Sequence, residues 1–238
     1  MSTYVYGITR ETTALPKGLA GVGEPPAGLR LVTGGGLAAV VSDCPEQLRP
    51  KRRDLLAHQK VVTELAREAP VLPLRFGSVS DDDRRVGEVL TERAERYAGQ
   101  LDRLDGRVEY NVKAVHQQDA VLHLVLADDP ELRALTEANR RAGGGSYDDR
   151  LRVGELVAAR VKEREQWDAE LLTQVLEPLA EECRPGPESS GWFVSLSFLV
   201  REAEADRLLN AVGRLGKAYT HLELRVNGPL PPYSFVDS

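Results

Sequence analysis

Apolar and polar positions alternate along several short stretches of the chain, which is the period of a β-strand. In Arg107–Ala114, alternate residues from Val108 to Ala114 are apolar or aromatic, and the residues between them are charged or polar. This pattern is typical of a half-buried strand in an antiparallel sheet. Alternation or a short apolar run predicts six further strands, at Thr3–Ile8, Leu29–Thr33, Leu37–Ser42, Val71–Phe76, Trp192–Val200 and Tyr219–Val226.

Apolar residues three or four positions apart predict helices between these strands. One helix is expected from Arg52 to Ala69, where Pro70 stops it, and a second from Asp81–Asp83 to Leu104. Carboxylates at the start of the second helix suit the free amides of a helix N-terminus. The remaining helical patterns are residues 118–141, interrupted near Asp129-Pro130, a long helix from Asp148 to Cys183, and Glu202–Leu215.

This order of elements predicts an α+β fold with two domains. Residues 1–117 form the first domain. Residues 118–226 form the second, a ferredoxin-like variant with a long helix, because a strand–helix–strand sequence closes it. Residues 227–238 form an extended, proline-rich C-terminal tail.

The tail carries the most informative pattern of the sequence. Asn-Gly-Pro at residues 227–229 turns the chain, and further prolines fix φ and remove amide donors, so the segment is expected to stay extended. Such a stalk presents aromatic side chains at little entropic cost. Two roles remain open, docking on the chain's own core and contact with a partner. The residues concerned are Pro229, Pro231, Pro232, Tyr233 and Phe235.

Composition narrows the class of protein. The 238 residues are 42% apolar and 29% charged, which is typical of a soluble globular protein rather than a disordered one. The formal net charge is −6, and the acidic excess lies in residues 117–238, which argues against nucleic acid as a ligand. The sequence predicts no membrane span and no secretory segment. Cys44 and Cys183 lie far apart, which favours unpaired thiols in a reducing cytosol.

No catalytic, cofactor or metal motif is apparent. The four histidines are scattered, and the spacing of His116 and His123 matches no usual ligand pattern, so no metal or cofactor is expected. His58 is interpreted as a buried histidine that binds a backbone carbonyl. Arg75, beside Phe76, either bridges strand ends or anchors a partner's carboxylate.

Four segments, taken in order, resemble the gas vesicle protein F/L family. They are Tyr4–Ile8, the pair His58–Val62 and Pro70–Gly77, the strand Gly106–Lys113, and the tail Val226–Val236. Together they cover most of the chain. The resemblance implies two α+β domains, the second a variant of the ferredoxin fold. No enzymatic activity is expected, because no catalytic constellation is apparent in the sequence.

The resemblance also implies a function. The chain is expected to be an accessory or minor structural protein of gas vesicle assembly, located at the gas vesicle within the cytoplasm. Its expected partners are the major shell protein and other gas vesicle accessory proteins, with no nucleic acid or membrane. The alternative is a ferredoxin-like enzyme or small-ligand regulatory domain, with a pocket between the domains lined by His58, Arg75 and Glu109.

Overall fold

The computed structural model describes residues 2–186 and 191–237, and the fold mixes helices and sheets. The chain divides into two compact units. The first unit contains Met1–Tyr110 and Gly228–Ser238, and the second contains Asn111–Asn227. The division therefore falls inside two strands, whereas the sequence predicted a boundary after residue 117 and a separate tail.

The first unit is built on an antiparallel sheet with the N-terminal strand at its centre. The strands are β1 (Thr3–Arg10), β2 (Arg30–Gly34), β3 (Leu37–Asp43), β4 (Leu72–Pro73) and β5 (Val79–Ser80). Their order is β2-β3-β1-β4, and β5 also pairs with β1. Because β1 has neighbours on both sides and packing on both faces, seven of its eight residues are buried.

Three helices cover this sheet, α1 (Arg52–Glu68), α2 (Asp83–Glu92) and α3 (Ala94–Leu104). The sequence predicted α2 and α3 as one helix, and that prediction is wrong because the helix breaks at Arg93. The break lies where the β2–β3 turn approaches: a β carbon at Gly35 would lie 2.7 Å from the Cβ of Ala94. Asp82 caps α2 by accepting a 2.7 Å hydrogen bond from the amide of Arg85.

The predicted strand Val71–Phe76 is much shorter than expected. Only Leu72 and Pro73 pair with β1, and the chain then forms a loop that returns to β1 at β5. Proline has no amide to donate, so Pro73 limits the length of a ladder at this position.

The second unit packs helices against a four-stranded sheet. Its strands are β6 (Arg107–His116), β7 (Glu182–Pro185), β8 (Val194–Arg201) and β9 (Leu222–Leu230), in the order β7-β8-β6-β9. Its helices are α4 (Gln118–Asp128), α5 (Pro130–Arg141), α6 (Tyr147–Leu176) and α7 (Ala205–Ala218). Along the chain, helices α4 to α6 connect β6 to β7, and α7 connects β8 to β9. This is the order of strands and helices that a ferredoxin-like variant requires.

The long helix ends earlier than the sequence predicted. It ends at Leu176, a 3-10 turn follows at Glu177–Leu179, and Cys183 lies in β7 rather than in a helix. Pro178 explains the difference, since its ring and missing amide are incompatible with a continuing α-helix.

The tail also departs from the prediction. Strand β9 continues to Leu230, and Tyr233–Phe235 forms a 3-10 turn, so the segment is not extended throughout. Pro229 is tolerated because β9 is an outermost strand of its sheet. Gly228 has a φ of 155°, and a β carbon there would lie 2.4 Å from the Tyr110 ring. Glycine is therefore required where the chain passes this ring.

Candidate functional site

The C-terminal tail docks on the core of the first unit. Phe235 is fully buried, and Tyr233 packs against the core cluster that contains Tyr4, Tyr6 and Val62. Burial raises the pKa of the Tyr233 hydroxyl above its ordinary value, and the charge of Glu109 adds to the increase. Pro231 and Pro232 are buried as well. The tail is thus a part of the folded unit.

A buried carboxylate holds the tail by its backbone. Glu109, in β6, is 2% exposed. Its two oxygens accept hydrogen bonds from the amide of Ser234 at 2.8 Å and from the Ser234 hydroxyl at 2.7 Å. Hydrogen bonds to an ionised acceptor are stronger than neutral ones, and a buried carboxylate requires them.

Two side chains of helix α3 form further hydrogen bonds with the tail backbone. Arg103 donates to the carbonyl of Phe235 at 2.5 Å. The side-chain amide of Gln100 donates to the Asp237 carbonyl at 3.3 Å and accepts from the Asp237 amide at 3.2 Å. The side chain of Gln100 therefore pairs with the tail much as a neighbouring strand would.

A buried hydrogen-bond chain fixes the loop between β4 and β5. The amide of Gly77 donates to the Tyr4 hydroxyl at 3.2 Å, and that hydroxyl lies 2.8 Å from Nδ1 of His58. Nε2 of His58 lies 2.9 Å from the carbonyl oxygen of Leu74. Since a carbonyl only accepts, Nε2 carries the proton and Nδ1 accepts from Tyr4. Burial lowers the pKa of His58, in keeping with a neutral ring.

Arg75 and Phe76 lie in this loop with opposite orientations. Arg75 is exposed, and within the described residues its guanidinium forms no ion pair or hydrogen bond. Its carbonyl accepts from the amide and the hydroxyl of Ser78, which closes the turn. The Phe76 ring is half-buried, with its centroid 5.9 Å from the rings of both Tyr4 and His58. Arg75 therefore does not bridge strand ends, and partner contact remains its predicted role.

The seven predicted site residues thus separate into two groups. Arg75 and Pro229 are exposed, whereas Phe76 and the remaining tail residues are partly or fully buried.

Two of the residues expected to line an enzymatic pocket are not available as catalytic groups. Both ring nitrogens of His58 and both carboxylate oxygens of Glu109 bind this chain's own atoms.

An apolar cavity in the first unit was not predicted from the sequence. It has a volume of about 370 Å³ and lies between the sheet and helices α2 and α3. Residues from distant segments line it, mostly apolar ones such as Val5, Val79 and Val86, together with the charged Asp81 and Arg85. Val79 is 47% exposed. The sequence around Val79 gives no local indication of the cavity. The exposure of this apolar side chain becomes apparent only when the strands and helices are assembled.

Within residues 2–186 and 191–237, no helix is long and apolar enough to cross a membrane.

The fold is similar to those of two solved gas vesicle proteins. The crystal structure of GvpF from Anabaena sp. PCC7120 matches with a TM-score of 0.78 and 22% identity, over 100% of this chain and 98% of that chain. GvpF from Microcystis aeruginosa matches with a TM-score of 0.72 and 23% identity, over 98% of each chain. The chain thus has the mixed helix and sheet fold of these proteins.

Sequence comparison identifies the family. The family model "Gas vesicle synthesis protein GvpL/GvpF" matches residues 2–237. Gas vesicle protein F of Streptomyces sp. (strain CB03234) is 55% identical over 100% of both chains. Gas vesicle protein L of the same strain is 30% identical, over 98% of this chain and 92% of the relative. The chain belongs to the GvpL/GvpF family, as the resemblance in the sequence indicated.

The docked tail predicts a large loss of stability when its aromatic side chains are removed. We expect Tyr233→Ala with Phe235→Ala to lower the free energy of unfolding by at least about 3–5 kcal/mol, the usual cost of truncating one buried aromatic. Chemical or thermal unfolding measures the change. Tyr147→Ala is the matched control, because that side chain is 71% exposed. Identical unfolding curves for the double variant and the wild type would mean that the tail does not stabilise the fold.

The buried His58 predicts a dependence of stability on pH. Its pKa lies below the ordinary 6.5 in the folded state, so below pH 6.5 the unfolded chain binds more protons. Stability should therefore fall as pH decreases from 6.5, by at most about 1.4 kcal/mol per pH unit from this group. His58→Gln retains one donor and one acceptor and should flatten the profile. The exposed His123→Gln serves as the control, and a wild-type slope in the His58 variant would contradict the assignment.

Proposed function

We propose that this chain acts in gas vesicle assembly by binding the major shell protein while the gas-filled shell forms. Its membership of the GvpL/GvpF family supports a role in gas vesicle synthesis. Other gas vesicle accessory proteins are further proposed partners. The higher identity to a gas vesicle protein F than to the protein L of the same strain supports an F-type role.

The observation that carries this proposal is the edge of the sheet in the first unit. Strands β4 and β5 lie one after the other along the same side of β1, and each contains only two residues. The apolar cavity lies beside them, with Val79 on its rim. A sheet edge next to an apolar cavity is a recurrent site for an extended segment of a partner, because main-chain hydrogen bonds provide affinity and the cavity accepts a side chain.

The chemistry of the expected partner suits this edge. The major shell protein is expected to be small and very apolar, and such a subunit aggregates unless its strand edges and apolar face are covered. Arg75 lies in the loop between β4 and β5 and provides a charged group for a carboxylate of the same partner.

The tail has an indirect role in this proposal. Phe235 is fully buried, so a partner would reach it only after the tail had left its site. The tail aromatics therefore stabilise the unit that presents the edge, and the partner contacts β5, the cavity and Arg75.

A capture experiment with purified shell protein tests the proposal. Val79→Asp places a charge on the cavity rim and should reduce capture of the shell protein at least tenfold, because the carboxylate must lose its hydration when an apolar partner covers the rim. Leu151→Asp is the matched control, since Leu151 is also exposed, at 51%, and lies in the second unit. Both variants should melt at the wild-type temperature, which separates lost binding from lost folding. Equal capture by Val79→Asp and the wild type would rule out this edge.

The dependence on salt distinguishes the type of interface. Apolar and main-chain contacts should persist at about 0.5 M salt, where charges are screened over a few ångströms. Dissociation of the complex under these conditions would indicate an electrostatic interface instead.

A further inference from the structure

Two histidines and an aspartate meet inside the second unit, although they are far apart in the sequence. His116 is the last residue of β6, Asp168 lies in α6, and His221 directly precedes β9. Nε2 of His116 lies 2.8 Å from Oδ2 of Asp168, and Nε2 of His221 lies 2.9 Å from the same oxygen. The side chain of Asp168 is fully buried, and those of the two histidines are only 6% and 9% exposed.

These three side chains offer a set of ligands that is common for transition metals. Two imidazoles and one carboxylate bind zinc and other divalent first-row metals, with open positions left for water. The three ligand atoms all lie within 4.8 Å of one another. Bonds of about 2.1 Å at a tetrahedral ion require ligand atoms about 3.4 Å apart. The two hydrogen-bonded pairs, at 2.8 and 2.9 Å, would have to open by about 0.5–0.6 Å to reach that separation. The two imidazole nitrogens would have to lie about the same distance from each other.

Only one of the two ring nitrogens of His116 has a hydrogen-bond partner within the described residues. Its Nδ1 is buried and has no hydrogen-bond partner within the part of the chain that the structure describes. His58 provides the contrast, because both of its ring nitrogens are hydrogen-bonded. Nδ1 lies on the opposite edge of the ring from Nε2, so a water molecule beside the ring, rather than an ion held by Nε2, would satisfy it.

The guanidinium of Arg164 is the cation that pairs with Asp168 in this structure. Arg164 donates to both carboxylate oxygens at 3.0 Å, and its Nη2 lies 3.3 Å from Nε2 of His221. A single Nε2 cannot donate to the carboxylate and accept from the guanidinium at the same time, because the first contact needs a protonated nitrogen and the second an unprotonated one. Arg164 therefore neutralises Asp168 but leaves His221 imperfectly paired.

Arg164 has a route away from the cluster. Its side chain is 18% exposed, and it lines an open cavity of about 550 Å³ together with Asp128, Glu163 and Trp167. The guanidinium carbon already lies 4.2 Å from the centre of the Trp167 ring, a cation–π contact. The cavity thus offers a place for the displaced guanidinium.

We propose that His116, Asp168 and His221 form a binding site for a divalent transition metal ion of the zinc class, which Arg164 closes when no metal is bound. The metal and the guanidinium are alternative cationic partners of one buried carboxylate. Removal of the guanidinium should therefore strengthen metal binding, whereas loss of the carboxylate should abolish it. This inference is independent of the proposed contact with the shell protein, which concerns the other unit.

Metal titration of the full-length protein without a histidine tag tests the site. Zn²⁺ binding is followed by calorimetry, and Co²⁺ binding by visible absorption, which reports the coordination number. We expect one saturable equivalent in the wild type, at least tenfold tighter binding in Arg164→Ala, and loss of binding in Asp168→Asn. His123→Ala is the matched control, because His123 is exposed on α4, and it should bind as the wild type does.

Folding is monitored in parallel by thermal melting. His221→Gln keeps a donor for Asp168 but removes a strong metal ligand, so it remains informative if Asp168→Asn does not fold. Zn²⁺ should raise the melting temperature of the wild type and of Arg164→Ala but not that of His221→Gln. The proposal is overturned if Arg164→Ala binds no more metal than His221→Gln, or if His123→Ala loses as much binding as His221→Gln does.

Discussion

The first unit depends on the burial of two tyrosine hydroxyls on its central strand. Tyr4 and Tyr6 are both fully buried, and a buried hydroxyl without a partner would cost on the order of 1–3 kcal/mol. The hydroxyl of Tyr6 lies 2.9 Å from the Ser42 hydroxyl and accepts from the amide of Val22 at 2.8 Å. That of Tyr4 bonds to His58 and to the amide of Gly77. The hydrogen bonds of these two hydroxyls therefore hold in place the loop at Val22, the loop at Gly77 and helix α1, which carries His58.

This constraint explains how the edge of the sheet is held in place although its strands are very short. Strands β4 and β5 contribute only two residues each, too few for an independent ladder. The connecting loop is fixed instead by His58, whose ring spans from the Tyr4 hydroxyl to the Leu74 carbonyl. A preorganised edge loses little conformational entropy when a partner binds, which favours affinity.

Features that depend on local chemistry could be predicted from the sequence, and those that depend on distant contacts could not. The strand around Val108 and the helix that ends before Pro70 follow from periodicity and from the geometry of proline. The break at Arg93 could not be predicted, because it coincides with the approach of a turn nearly sixty residues earlier in the chain, at Gly35. Docking of the tail aromatics on the chain's own core is one of the two roles that the sequence predicts, but the contact that holds them joins Glu109 to Ser234, 125 residues later.

The histidine cluster shows the same limit in its clearest form. Metal ligands on one helix or one loop produce a spacing that sequence analysis detects, and here the spacing of His116 to Asp168 and His221 has no such regularity. The three residues come from the end of one strand, the last third of a helix and the position just before another strand. Only the pairing of β6 with β9, with α6 packed nearby, brings them together.

The two buried carboxylates differ in how easily their partners can leave, and this difference separates a structural role from a chemical one. Glu109 is bound by the amide and hydroxyl of Ser234, which can depart only if the tail undocks and exposes Phe235. Asp168 is bound by the long side chain of Arg164, which borders an open cavity and can rotate away while its helix stays in place. Loss of the first set of bonds therefore carries the free energy of a buried aromatic, whereas loss of the second leaves a buried carboxylate that another cation would have to neutralise. A cation on a long side chain, beside a buried anion and two imidazoles, is the arrangement that the proposed metal site requires.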